Sequence, residues 1–159
     1  MGQKTLSMWL KGIIVGVGLC GLAVYVTVVP AFAAYVREGY PEFAFAILPW
    51  NFFVWCSAVP CYAVLVFAWG IASNIGMDRS FSEDNAKKLR WISVLAAGDA
   101  LFFFLGNILY LFLGMNHPGI VLVSLVVVFI GVAVAVASAA LSHLVKKAAA
   151  LQEQSDLTI

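Results

Sequence analysis

Apolar residues gather into four long runs along the chain, and polar residues are confined to the gaps between them. A helix needs about 20 mostly apolar residues to cross a hydrocarbon layer of about 30 Å. Gly12–Ala34, Leu48–Ile71, Trp91–Leu113 and Ile120–Val145 each reach that length. Turn residues mark two of the gaps: Arg37-Glu38-Gly39-Tyr40-Pro41-Glu42 after the first run and Asn116-His117-Pro118-Gly119 after the third. Phe43–Ile47 is an interrupted apolar lead into the second run, and Pro49 suits an opening helical turn, where a missing N–H costs little. The pattern predicts an all-α fold, a polytopic transmembrane four-helix bundle forming one membrane domain over residues 1–159.

Charge orients the runs. Of nine Lys and Arg residues only Arg37 follows the first run; Lys4, Lys11, Arg79, Lys87, Lys88, Arg90, Lys146 and Lys147 share the opposite side if there are four spans. The positive-inside rule then predicts an N-in/C-in protein of the bacterial cell (inner) membrane, with segment 72–90 and the tail 146–159 in the cytoplasm. Trp9, Trp69 and Trp91 fall at the inner interface, and Tyr35, Tyr40 and Tyr110 near the outer one. Ala31-Phe32-Ala33 has the look of a signal-peptidase site, but the apolar run before it exceeds an ordinary signal peptide and is expected to stay as a span.

Composition agrees. Hydrophobic residues make up 64% and charged residues 11%, against about half and about 25% in a soluble domain. Mean hydropathy is +1.01. So few charges cannot cover a water-facing surface, and the lipid bilayer is the solvent that fits. A net charge of +1 gives no reason for direct nucleic-acid binding. Cys20, Cys56 and Cys61 lie inside apolar runs without metal-ligand spacing and read as packing residues. No nucleophile–base pair, metal cluster or phosphate loop stands out, so neither an enzyme nor a cofactor is expected.

Spans in lipid associate through close backbone approach. Gly12, Gly16 and Cys20 on the first span, and Gly131, Ala135 and Ala139 on the fourth, recur every four residues. Packing between spans is the preferred reading and a homodimer seam the alternative. Pro60 removes a helical bond to Cys56 within the second span and is expected to kink it.

Asp99 is the informative polar residue. It lies eight residues past Trp91, about 12 Å into the layer at 1.5 Å per residue. A carboxylate there costs about 2.5–3.5 kcal/mol on insertion scales and must face protein or water. Gly106 and Tyr110 return to its helix face and Asn107 lies beside it, against lipid-facing Phe102 and Leu105. Asp99, Asn107 and Tyr110 are therefore the candidate ligand-binding residues. Three readings of Asp99 stay open: a protonated carboxyl hydrogen-bonded to a neighbouring span, which leads; a polar cavity for a ligand; and a proton or ion path. Asn51, Ser57, Ser138 or water are its candidate neighbours, with Ser57 and Ser138 better matched in depth. His143, near the inner end of the fourth span, reads as an interfacial residue.

Two polar segments remain. From Phe81 to Arg90, Ser82 suits a helix cap, Glu83 and Asp84 suit the first turn, and Phe81 with Ala86 occupies staple positions. Glu83–Lys87 and Asp84–Lys88 are spaced for ion pairs, and Lys87, Lys88 and Arg90 for anionic headgroups. Lys146–Ile159 should extend the fourth helix, yet it ends on apolar Leu157-Thr158-Ile159, which predicts docking against the Phe81/Leu89 region.

The pattern Phe81-Ser82, Asn85, Leu89-Arg90 and Ile92, together with Leu151-Gln152-Glu153, Asp156 and Leu157-Thr158-Ile159, resembles the domain-of-unknown-function family 2975, small bacterial four-span membrane proteins. Asp84-Asn85 stands where Glu-Asn is common in that family, and Asp99 and Asn107 belong to neither motif. The resemblance implies no enzyme activity. It implies a cytoplasmic helix-turn-helix regulator as partner, with Phe81, Ser82, Asn85, Leu89, Arg90, Leu151, Asp156, Leu157, Thr158 and Ile159 as partner-binding candidates. The expectation is a non-enzymatic membrane protein contacting such a partner; a small transporter or ligand-binding protein using the Asp99 face is the alternative.

Overall fold

A computed structural model of the chain describes residues 2–156. The described residues are helical almost throughout and contain no strand. α1 (Gln3–Ala23), a π-helical turn (Val24–Val28) and α2 (Val29–Gly39) make one continuous rod; a 3-10 stretch (Pro41–Ala46) runs into α3 (Ile47–Gly76), and α4 (Glu83–Phe112) and α5 (Pro118–Asp156) follow. The four rods are long and apolar enough to cross a membrane. At 37, 36, 30 and 38 residues they overrun the about 20 a span needs, so their ends project beyond the hydrocarbon.

The breaks have local causes. Tyr40 leaves helical geometry (φ −139°, ψ 69°) because the ring of Pro41 disfavours a helical residue before it. α4 closes on Gly114 in the left-handed region, with Met115 N–H donating to the Tyr110 carbonyl at 2.8 Å and Gly114 N–H to that of Leu111 at 3.2 Å. α3 ends the same way on Asp78 (φ 61°), with Arg79 N–H donating to the Asn74 carbonyl at 2.9 Å. Asp is among the few side-chain-bearing residues that tolerate this conformation.

The π turn was not anticipated, and its cause is Pro30. Proline brings no N–H and its ring crowds the carbonyl four residues back. The helix adopts the wider register just before it, Val29 N–H reaching the Val24 carbonyl, while the Thr27 hydroxyl donates to that of Ala23 at 2.6 Å.

The bundle is an open row rather than a ring of equal neighbours. α3 packs against α1 and α4, and α4 packs most extensively against α5. Half-buried and buried residues on α5 from Val121 to Val145 fall at Val121, Ser124, Val128, Gly131, Ala135, Ser138, Ser142 and Val145, alternating steps of three and four, and Ala148 and Ala149 are half-buried beyond them. That is the seam of a left-handed helix pair. A Cβ on Gly131 would sit 3.0 Å from the Ala100 Cβ, so the glycine lets α4 and α5 approach closely. Along the first rod the inward residues include Ser7, Ile14, Gly18 and Gly21 on α1 and Tyr25 on the π turn.

This corrects the reading of the small-residue stripes. Gly131 and Ala135 do pack between helices, but Ala139 is exposed. Gly12 and Gly16 have open space where a Cβ would be, and Cys20 is exposed. The reason is geometric: strict four-residue steps advance about 40° round a helix of 3.6 residues per turn, so such a stripe drifts off the contact face.

α1 begins and α5 finishes at the same end of the bundle, here the terminal end. Hydrogen bonds tie it together. The Ser7 hydroxyl donates to the Ala72 carbonyl at 2.6 Å, that of Ser80 to Gln3 Oε1 at 3.2 Å, and that of Ser142 to the Ala86 carbonyl at 2.7 Å. At the far end Trp50 Nε1 donates to the Met115 carbonyl at 2.8 Å. Lys11 Nζ stands 5.2 Å from the Trp69 ring centroid, and Trp91 stacks on Phe67.

Candidate functional site

Asp99 points from α4 toward α3. Its Oδ2 accepts from the Ser57 hydroxyl at 3.1 Å and the Cys61 thiol at 3.4 Å. Ser57 is therefore the polar neighbour on the second span, and Cys61 joins it because it sits four residues, one turn, further along α3. Oδ1 is buried and has no hydrogen-bond partner among the described residues. The carboxyl is thus divided: one oxygen is bonded into the bundle and the other is left over. Of the other candidates, Ser138 is buried on the α4–α5 seam and Asn51 is half-buried.

Tyr25 completes this region from a third helix. The π turn carries it, half-buried, with its ring 5.5 Å from that of Trp55 and its phenol within electrostatic reach of Ser57, Cys61 and Asp99. Sequence reading passed over Tyr25; the available signal was Pro30 five residues later. A cavity of about 240 Å³ lies between α3 and α4 beside the carboxyl, with Cys56, Pro60, Gly98 and Phe102 among its walls.

Asn107 and Tyr110 do not join Asp99. Asn107 Nδ2 donates to the Phe103 carbonyl at 2.8 Å, and its Oδ1 accepts from Asn116 Nδ2 at 3.2 Å. Asn107 thereby anchors the α4–α5 turn. The Tyr110 hydroxyl donates to the Pro49 carbonyl at 3.0 Å, and its ring packs edge-on to Trp50 and Phe53. Phe53 is 4% exposed and stacked on Phe103, occupying the turn between Asp99 and Asn107. Gly106 makes room for it: a Cβ there would fall on the Phe53 ring. Phe102 and Leu105 are exposed, although the Phe102 ring also meets Phe53 at 4.8 Å.

At the terminal end, Ser82 caps α4, accepting from Asn85 N–H at 3.3 Å. Asn85 is 1% exposed. Its Nδ2 donates to the carbonyls of Arg79 (3.1 Å) and Ser80 (3.0 Å), and its Oδ1 accepts from Asn74 Nδ2 at 2.8 Å. Asn74 Nδ2 also donates to Asp84 Oδ2 at 2.7 Å, and Asp84 pairs with Lys88. The Lys88 ammonium and the Asn74 amide together lower the Asp84 pKa from its ordinary value. Lys88, with its side chain largely covered, is turned into this network, whereas Glu83–Lys87 is a loose surface pair at 3.7 Å. Ala86 is buried, Leu89 half-buried, and Phe81, Arg90 and Leu151 exposed. α5 continues through Asp156, while Leu157, Thr158 and Ile159 lie outside the described residues, and with them the expected docking of the tail.

Residues 31–159 match the family described as "Protein of unknown function (DUF2975)", and the chain belongs to that family. The resemblance drawn from the Phe81–Ile92 and Leu151–Ile159 motifs is borne out. The chain is also similar to the uncharacterized membrane protein YoaS of Bacillus subtilis (strain 168), with 29% identity over 155 residues that cover 96% of this chain and 97% of that protein. No solved structure matches it.

Proposed function

We propose that this DUF2975 member is a non-enzymatic protein of the bacterial cell membrane whose terminal end faces the cytoplasm and holds a partner protein there. One observation carries the reading: both motifs lie at that end, the first on the loop and opening turns of α4, the second, as far as Asp156, on the last turns of α5. Ser142 of α5 meets Ala86 in the first turn of α4, and α5 then continues to Asp156, roughly 20 Å further at 1.5 Å per residue. Ser82 and Asn85 are consumed in fixing the loop, and among the described residues Phe81, Arg90 and Leu151 are outward members of the motifs. Phe81 and Leu151 are each 59% exposed. A preformed loop lowers the ordering cost of association.

The cytoplasmic placement is supported by charge, since Arg37 alone among the nine basic residues sits at the far end. A small helix-turn-helix regulator is the partner class that the family resemblance implies. Photocrosslinking amino acids placed at Phe81 and Leu151 in living cells are expected to yield protein adducts, and the same groups at Phe45 and Phe112 only lipid adducts. Lipid adducts from all four positions would overturn the proposal. Removing Leu157-Thr158-Ile159 is expected to weaken capture of the partner without abolishing membrane insertion.

A further inference from the structure

We infer that the cavity beside Asp99 is a binding site for a lipophilic ammonium, a membrane-partitioned amine that keeps at least one N–H. Hydrogen bonds around Asp99 support this site independently of the partner-binding proposal. Ser57 and Cys61 spend their hydrogens on Asp99 Oδ2. Oδ1 is buried with no donor among the described residues. Pro60, in the cavity wall, has no N–H, so the Cys56 carbonyl receives no bond from its usual donor four residues on. The strongest donor the wall supplies is the Cys56 thiol, which is weak. The site therefore offers acceptors in excess, one of them the carboxyl of Asp99, whose covered Oδ1 a guest reaches by turning the group about its Cβ–Cγ bond. A guest must bring hydrogens, and hydrogens on a positive centre bond a carboxylate best.

Shape and setting fix the rest of the guest. Beyond Asp99 and Cys56 the walls are apolar, among them Leu95 and Phe102, and the mouth opens on the outer face of the bundle, where Val94 is 52% and Phe102 42% exposed. Within a span that face meets lipid. About 240 Å³ falls short of the roughly 300–1,000 Å³ that encloses a drug-sized ligand. The cavity holds an amine head and the first part of its tail, and the remainder lies among acyl chains. A proton path is the weaker alternative, because Phe53 and Phe103 interpose an aromatic block between Asp99 and the Asn107–Asn116 pair.

The test uses the full chain in nanodiscs of neutral phosphatidylcholine and a diazirine-bearing octylamine photoprobe. Adducts are expected on the cavity walls and to be displaced by octylamine; 1-octanol and octyltrimethylammonium should compete at least tenfold less well. Asp99→Asn should lower labelling at least tenfold. Gly98→Leu should do the same by filling the mouth, where a Cβ meets no atom within 4 Å, so this variant is expected to fold and decides the matter if Asp99→Asn does not. Equal competition by either control amphiphile, or labelling spread along the lipid face and undiminished in Gly98→Leu, would overturn the inference.

Discussion

Asn74 and Asn85 face each other across the α3–α4 loop, joined by a 2.8 Å bond from Nδ2 to Oδ1. Through this pair the last turn of α3 and the first turn of α4 hold one another, and the loop carbonyls of Arg79 and Ser80 are satisfied from inside. Asn85→Ala leaves those carbonyls and the Asn74 amide without their partner. The expected loss is about 1–3 kcal/mol, read as a lower midpoint of thermal unfolding in detergent, with proteolysis beginning between residues 77 and 82. Asn85→Asp should do worse, because it sets a buried carboxylate against both carbonyls and beside Asp84. A wild-type midpoint for both variants would remove the clamp from the account.

The Asp84–Lys88 pair makes part of this clamp acid-sensitive. The folded pKa of Asp84 is lowered, first by Lys88 and then by Asn74. A depressed carboxylate contributes stability that is fully present above its unfolded pKa, about 3.9, and is lost as pH falls through the folded value. Amide opening across residues 74–88, read as hydrogen exchange relative to the intrinsic rate at each pH, is expected to be flat from pH 7 to about 5 and to rise below about 4. Asp84→Asn should abolish the rise. The same rise in that variant would assign it elsewhere.

Gly106 and Gly98 sit two turns apart on α4 and should respond oppositely to alanine. A Cβ at Gly106 lands on the Phe53 ring, whereas one at Gly98 meets nothing within 4 Å. Gly106→Ala is expected to destabilise by about 1–3 kcal/mol through overpacking, and Gly98→Ala to leave the unfolding midpoint where it is. Gly12→Ala and Gly16→Ala, also open, should behave like Gly98→Ala.

Orientation can be read by cysteine accessibility once Cys20, Cys56 and Cys61 are replaced by Ala. An impermeant maleimide added to intact cells is expected to label a Cys at Glu38 or His117, and to spare one at Arg79 or Gln154. Labelling at Arg79 would invert the assignment.

The four rods were legible because lipid leaves a long, unbroken signal, and the Ser82 cap because its neighbours repeat a known local grammar. Contact faces were harder. Small residues at strict four-residue spacing suggested the seams, yet the seams follow alternating three and four, so Ser138 and Ser142 lie inside while Gly12 and Gly16 lie outside. Depth alone narrowed the neighbours of Asp99 to Ser57 and Ser138, of which the structure pairs it with Ser57. Helical phase could not separate Asp99 from Asn107, which lie toward one side of α4 about 12 Å apart along its axis, with Phe53 packed between them. Tyr25 escaped notice because a π turn alters phase locally, and Pro30 acts on residues that precede it. Asn85 read as one member of a motif; its bonds to Asn74, Arg79 and Ser80 depend on how the loop folds back.

The open row has a consequence for how the protein is made and how it comes apart. A ring loses closure when any member leaves, but a row loses only its end. α1 emerges first from the ribosome and must wait for α3 before its inward face has anything to meet. α4 and α5, synthesised last, carry the most extensive interface as an antiparallel hairpin joined by a short turn, and can settle against each other at once. Drawn out of a bilayer by its N-terminus, such a chain would surrender its helices one by one in order of synthesis, with the α4–α5 hairpin resisting last.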